Sequence, residues 1–124
     1  LSQFSDHFNP RIAGELNGQQ ACPPWLVKLV KFKGEFVWHH HEQEDELFYV
    51  VKGSFDMHLR SERTPSEDKI ISMNEGEFII MPRGVEHKPV ANEEVEIMLF
   101  EPATTLNTGN IVNSELTKKN LEKI

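Results

Sequence analysis

Short apolar runs alternate with polar residues from position 12 to position 100, and turn-forming residues separate them at close spacing. Residues 12–16 read as a strand closed by Asn17-Gly18, a dipeptide suited to a tight hairpin turn. Pro23-Pro24 bars regular pairing over 19–24, and the run WLVKLVKF at 25–32 predicts an extended segment broken at Lys33-Gly34. Residues 35–41 form the next predicted strand. The stretch 46–52 is nearly all apolar, as in a strand covered on both faces. Residues 54–60 alternate cleanly, with Phe55, Met57 and Leu59 on one face and Asp56, His58 and Arg60 on the other. After a charged loop at 61–68, four more short strands are predicted at 70–73, 77–81, 87–91 and 95–100. Turn signals stand at Asn74-Glu75-Gly76 and Asn92-Glu93-Glu94. Near the end Ser114 can cap a short helix reaching about Lys123, with Leu116, Leu121 and Ile124 as a weak apolar stripe. The pattern predicts an all-β fold, a sandwich or a barrel, followed by a short C-terminal helix.

Two stretches carry candidate chemistry. The first, GEFVWHHHEQEDELFYVVKG at 34–53, places His39, His41, Glu46 and Gly53 as H-x-H-(x)4-E-(x)6-G. On an extended strand His39 and His41 share a face roughly 7 Å apart, close enough to converge on one ion. Glu46 lies an odd number of positions further and must return on the following strand, after a turn through Glu42-Gln43-Glu44-Asp45. Gly53 ends that strand where a tight turn needs a residue without Cβ. The second stretch, GEFIIMPRGVEH at 76–87, is an apolar run, a turn at Pro82-Arg83-Gly84, and His87 opening the next strand. Three histidines and one carboxylate make a complete ligand set for a divalent transition metal.

Together these stretches resemble the paired motifs of the cupin superfamily. Two spacings depart from the family pattern: four residues separate Gly34 from His39, and Ala91 stands where Asn is usual, with Asn92 one position on. Neither departure falls on a proposed ligand. The resemblance implies a double-stranded β-helix (jelly-roll, cupin barrel), spanning 1–102 as one domain with 103–124 as a tail. It also implies a metal site of His39, His41, Glu46 and His87. No internal repeat is present, so the chain reads as a single cupin unit.

Other residues have plainer readings. His40, between the two ligands, faces the opposite way, toward solvent or a subunit contact. His7 and His58 read as surface residues, and Glu42, Glu44 and Asp45 as a solvated turn. Only Glu46 keeps the six-residue interval to Gly53. Tyr49 points away from the Glu46 face, which Phe48 and Val50 share. Arg83 reads as a solvated turn residue, and Cys22, beside two prolines, as an inert thiol.

Composition then narrows the class. The 124 residues fit one domain. A net charge of −7 without a Lys/Arg cluster argues against nucleic acid or an anionic membrane as partner. A single Cys excludes an internal disulfide framework and fits a reducing, cytoplasmic setting. No apolar run approaches the length of a membrane span.

Four protein ligands on an octahedral ion leave two positions open, so the site is built for chemistry or for holding a ligand. The expectation is a small enzyme that binds one divalent metal (Fe, Mn, Ni, Zn, Co or Cu) and acts on a small organic molecule. Dioxygenase- or isomerase-type chemistry is expected, with Glu46 as ligand and proton acceptor. The competing expectation is a cupin that binds or senses a small molecule or metal without chemistry. A metal-free sugar epimerase of the same fold is disfavoured because every ligand position is filled. Exposed strand edges and apolar strands at 25–32 and 46–52 predict a homodimer.

Overall fold

The computed structural model describes residues 10–16, 24–61, 65–111 and 117–123. Its strands are β1 (Arg11–Leu16), β2 (Trp25–Glu35), β3 (Glu46–Lys52), β4 (Ser54–Arg60), β5 (Lys69–Asn74), β6 (Phe78–Met81), β7 (Glu86–Pro102) and β8 (Glu122–Lys123). One turn of 3₁₀-helix at Pro65–Glu67 lies in the charged loop. All eight strands join in one sheet, in the order β5-β4-β7-β2-β1-β8, with β3 pairing both β7 and β6.

The long strand β7 explains how one sheet encloses a cavity. Its first part, from Glu86 to Val90, pairs with β4, and its later part pairs with β3 through Glu96–Phe100 contacts. Strand β2 runs along the opposite edge of both parts. Between them the register jumps: Phe32 faces Val95 but Gly34 faces Ala91, so Asn92, Glu93 and Glu94 bulge out, all exposed. The turn expected at 92–94 is therefore absent. Its polar residues are accommodated by a bulge, which bends a continuous strand without ending its pairing.

Odd-numbered residues of β7 face inward on both sides of the bend. His87, Pro89, Ala91, Val95, Ile97, Leu99 and Glu101 are all buried. Alternation on β3 buries Glu46, Phe48 and Val50 and leaves Leu47 and Tyr49 half-buried, as the period-2 pattern requires. The apolar core thus forms around Val30, Phe32, Phe48, Phe55, Met57 and Ile97. Gly53, at φ 87°, makes the turn after β3, where a Cβ would come within 3.1 Å of the Glu94 carbonyl.

Two further expectations change. Residues 35–41 are not a regular strand: β2 ends at Glu35, and beyond it His39 makes only an isolated bridge to His87. The C-terminal helix is also not seen among the described residues. Residues 117–121 carry no helix, and Glu122–Lys123 pair in parallel with β1 at Arg11 and Ile12. The weak apolar stripe could not outweigh the open edge of β1, whose backbone groups take up those of the chain end. Ser114 and Leu116 lie outside the described residues, as do Phe4, His7, Phe8, Asn17, Gly18, Cys22 and Ile124. Among the described residues no helix is long and apolar enough to cross a membrane.

Candidate metal centre

The four residues singled out by spacing meet at one point. His39, His41, Glu46 and His87 are all buried, and one nitrogen or oxygen from each lies within 4.8 Å of the others. Local backbone pairing brings this about. His39 N–H donates to the His87 carbonyl at 3.1 Å and His87 N–H donates back to His39 at 2.8 Å. This directly opposed pair turns both rings to the same face, 4.2 Å apart between centroids. His41 lies two residues on, its carbonyl accepting from Gly84 N–H at 2.7 Å, with its ring 5.1 Å from that of His39. Glu46 enters on β3, after the polar turn at 42–45, and its Oε1 lies 2.5 Å from His41 Nε2 and 3.4 Å from His87 Nε2.

The imidazole tautomers follow from geometry. His39 Nδ1–H donates to the Val37 carbonyl, and His87 Nδ1–H donates to the Val85 carbonyl, each at 2.8 Å and two residues back. Both rings therefore present an unprotonated Nε2 to the cluster, as metal-ligating histidines do. Burial and the neighbouring His87 push His39 down to about 3, so its ring is neutral at physiological pH. Among the described residues, His41 Nε2, His87 Nε2 and Glu46 Oε1 are buried without a hydrogen-bond partner. Orphaned atoms of this kind on two imidazoles and a carboxylate, with the His39 ring beside them, fit a divalent transition cation.

Behind the cluster stands a pair that sequence reading missed. Lys28 Nζ donates to Glu101 Oε1 at 2.6 Å and to the Thr105 carbonyl at 3.3 Å, with both charged side chains buried. Glu101 also shares a hydrogen bond with Glu46. Burial and then the Glu46 charge raise the Glu101 carboxyl well above its ordinary range, against the opposing pull of Lys28. Burial alone would raise Glu46 too. The hydrogen bond from Glu101 and the close approach of His41 and His87 outweigh that and hold Glu46 well below the usual carboxylate range. A single proton on Glu101, donated to an ionised Glu46, satisfies both groups. The signal was in the chain: Lys28 is in phase with buried Leu26 and Val30, and Glu101 with buried Ile97 and Leu99.

The segment after β7 closes over the ligands. Asn110 N–H donates to the His40 carbonyl at 3.0 Å, and His40 N–H donates to Asn110 Oδ1 at 2.9 Å. Gly109, at φ 53°, sits so close that a Cβ would overlap the His40 carbonyl and press on the His39 ring. Thr108 is fully buried and donates to the Ile111 carbonyl.

An apolar cavity opens beside the cluster, walled by Phe32, Phe36, Phe48, Ile97 and Leu99, with His39, Glu46 and Asn107 as its polar members among the described residues. The remaining candidates behave as expected. His40 points outward, 3.7 Å from Glu42 and 3.6 Å from Glu86. His58 lies at the surface beside Trp38, Tyr49 faces away from the cluster, and Arg83 is an exposed turn residue. Glu42, Glu44 and Asp45 line the outer turn; Asp45 Oδ1 accepts from the Arg83 N–H at 2.8 Å.

Comparison with known proteins agrees with this architecture. The Cupin_2 family, described as a cupin domain, matches residues 26–101, and the chain belongs to that family. An uncharacterised Bacillus subtilis protein, YdbB, is 32% identical over 62 residues, which is half of this chain and half of that one. A cupin-2 domain protein from Shewanella frigidimarina is 40% identical, superposes with a TM-score of 0.69, and is matched over 82% of this chain and 86% of its own. A hydroquinone 1,2-dioxygenase, PnpCD, solved with Fe3+, is 19% identical with a TM-score of 0.65. That match covers 84% of this chain and 30% of the dioxygenase chain, and shows a shared fold. The protein is thus a cupin whose barrel carries a His-His-Glu-His cluster suited to a metal.

Proposed function

We propose that His39, His41, Glu46 and His87 hold one divalent transition metal (Fe, Mn, Ni, Zn, Co or Cu), and that the protein is an enzyme acting on a small, largely apolar organic molecule. One observation carries this reading: four buried donors converge, with the His39 and His87 tautomers set, at the wall of a cavity lined mainly by apolar side chains. Bound there, the metal supplies Lewis-acid or redox chemistry to a substrate hydroxyl, enolate or carboxylate. The protein's own contribution is to orient and to keep water out. Phe32, Phe36 and Phe48 offer ring faces and edges to a flat substrate, and Glu46, ionised and hydrogen-bonded, accepts a proton beside it. Dioxygenase- or isomerase-type turnover of a phenolic or enolisable compound fits this arrangement best. The iron-bound hydroquinone dioxygenase of the same fold is consistent with it.

A second reading is favoured by a specific feature of the cavity. Besides His39 and Glu46, its described lining offers no further acid or base, which suits a protein that binds a ligand unchanged. We place the protein in the cytoplasm as a homodimer, with no nucleic acid or membrane as partner. The exposed Phe78 and Ile80 on the outer edge strand β6 support self-association.

The deciding experiment loads the protein with each metal and assays oxygen consumption and product formation across phenols and enolisable sugars. Turnover by wild type, lost in Glu46→Ala, supports the enzyme. Tight binding of a compound recovered unchanged supports the binding protein instead. Absence of metal under every loading condition overturns the metal-dependent enzyme.

A further inference from the structure

A buried Lys–Glu pair contributes little net stability, because the cost of desolvating its charged and polar groups offsets most of their attraction. An apolar pair of similar volume would fill the same space. That Lys28 and Glu101 lie 3% and 1% exposed, against the ligand cluster, therefore calls for another role.

Strand register supplies one. Strands β3 and β7 pair Phe48 with Leu99 and Leu47 with Phe100, so one step further Glu46 stands opposite Glu101 on the same inward face. On the other side of β7, Lys28 faces Leu99 and Leu26 faces Glu101, so Lys28 reaches Glu101 along the diagonal. Lys28 Nζ takes Glu101 Oε1, and its second bond, to the Thr105 carbonyl, ties it to the chain beyond β7. Glu101 Oε2 is left buried without a donor of its own, available to Glu46. Three adjacent strands thus contribute one residue each to a chain that ends on the only carboxylate of the cluster.

The geometry points to Lys28 and Glu101 as a positioning pair, which fixes the Glu46 carboxylate so that one oxygen is presented to His41 and His87. This rests on the metal-site reading above and extends it to residues outside the ligand set. Neither residue touches the metal position; each acts through Glu46. His39 and His87 have backbone carbonyls to orient them, whereas a carboxylate on a strand has only its neighbours.

The test compares wild type, Lys28→Met, the double variant Lys28→Met/Glu101→Leu, and Glu46→Ala. Zinc affinity is measured by chelator competition, the visible spectrum after cobalt(II) loading, and metal-free stability by urea unfolding. The double variant is expected to unfold at a urea midpoint equal to or above that of wild type, since the buried lysine charge and its carboxyl partner are gone. Its zinc affinity is expected to fall by about 10- to 100-fold, with a changed cobalt spectrum. Lys28→Met alone, which keeps Glu101, should fall by about tenfold, and it decides the matter should the double variant not fold. Adding Glu101→Gln to a Lys28→Met background should restore part of the loss, because the amide can still donate to Glu46. Unchanged zinc affinity and an unchanged cobalt spectrum in the folded variants would overturn the positioning role while leaving the metal site standing. Wild type that binds neither metal, with Glu46→Ala indistinguishable from it, would remove both.

Discussion

The candidate metal centre has two halves built by different means. On the histidine side, His39, His41 and His87 are placed by backbone hydrogen bonds: the reciprocal pair between 39 and 87, the carbonyls of Val37 and Val85, and the clasp of Asn110 on His40. On the carboxylate side, Glu46 is placed by side chains in register across three strands, Lys28 to Glu101 to Glu46. Short irregular segments can aim a ring because a backbone carbonyl two residues back fixes it. A carboxylate has no such local partner and needs charged neighbours brought from far along the chain. The first half is written in local spacing, the second only in strand register.

The largest predicted effect falls on the histidine side. His87→Ala removes a ligand and the ring that neighbours His39, and zinc affinity measured by chelator competition should fall more than about 100-fold, beyond the loss typical of an outer-shell partner. A fall of only a few-fold would mean that His87 is not a ligand.

Acid should separate the two halves next. In metal-free protein, His39 titrates near 3 when folded and 6.5 when unfolded, so it contributes stability that is lost as pH falls across that window. Glu46, lowered from 4.5, adds a second loss below that value. Glu101, raised from 4.5, works in the opposite sense and loses stability as pH rises above 4.5. Above 4.5 the His39 and Glu101 effects oppose, so stability should change less steeply than His39 alone would make it. Below 4.5 His39 and Glu46 together bind two more protons in the unfolded chain than in the folded one, and this pair should lower stability by about 2.7 kcal/mol per pH unit at its steepest. In Glu101→Gln the opposing effect is gone, and stability should rise more steeply with pH from 4.5 to 6.5 than in wild type. Urea unfolding at a series of pH values reads all of this, and a wild-type profile that stays level below pH 4.5 would contradict it.

Gly109→Ala should come next, at about 2 kcal/mol or more of destabilisation, because a Cβ at positive φ is strained and would overlap the His40 carbonyl. The same variant should weaken zinc binding, since the displaced segment carries His39 and His41. Asn110→Ala should have the smallest effect, about 1 kcal/mol, for one lost side-chain bond to the His40 N–H. Equal stability of the Gly109 variant and wild type would show that the clasp does not hold the histidine segment.

These differences explain what the sequence disclosed. His39, His41, Glu46, His87 and the turn at Gly53 were legible because alternation and short-range turn chemistry fix them within each motif. Most strands followed from short apolar runs bounded by turn signals. The regular strand expected through 35–41 was not found, because scattered backbone bonds between Phe36, His39 and His41 and the facing segment place the histidines without a continuous ladder. The turn at Asn92-Glu93-Glu94 failed for the opposite reason: pairing of β7 on both edges outweighed three turn-prone residues. The charged pair stayed hidden because no motif links position 28 to 101. Only the register of three strands does, although a lysine and a glutamate in phase with buried apolar residues were the local trace of it.

The most direct test of the central claim is anomalous diffraction from crystals grown with zinc or cobalt. The account predicts one strong peak per chain, bonded at about 2.0–2.2 Å to Nε2 of His39, His41 and His87 and to a Glu46 oxygen. A metal-soaked crystal with no peak there, or a peak that omits Glu46, would contradict it.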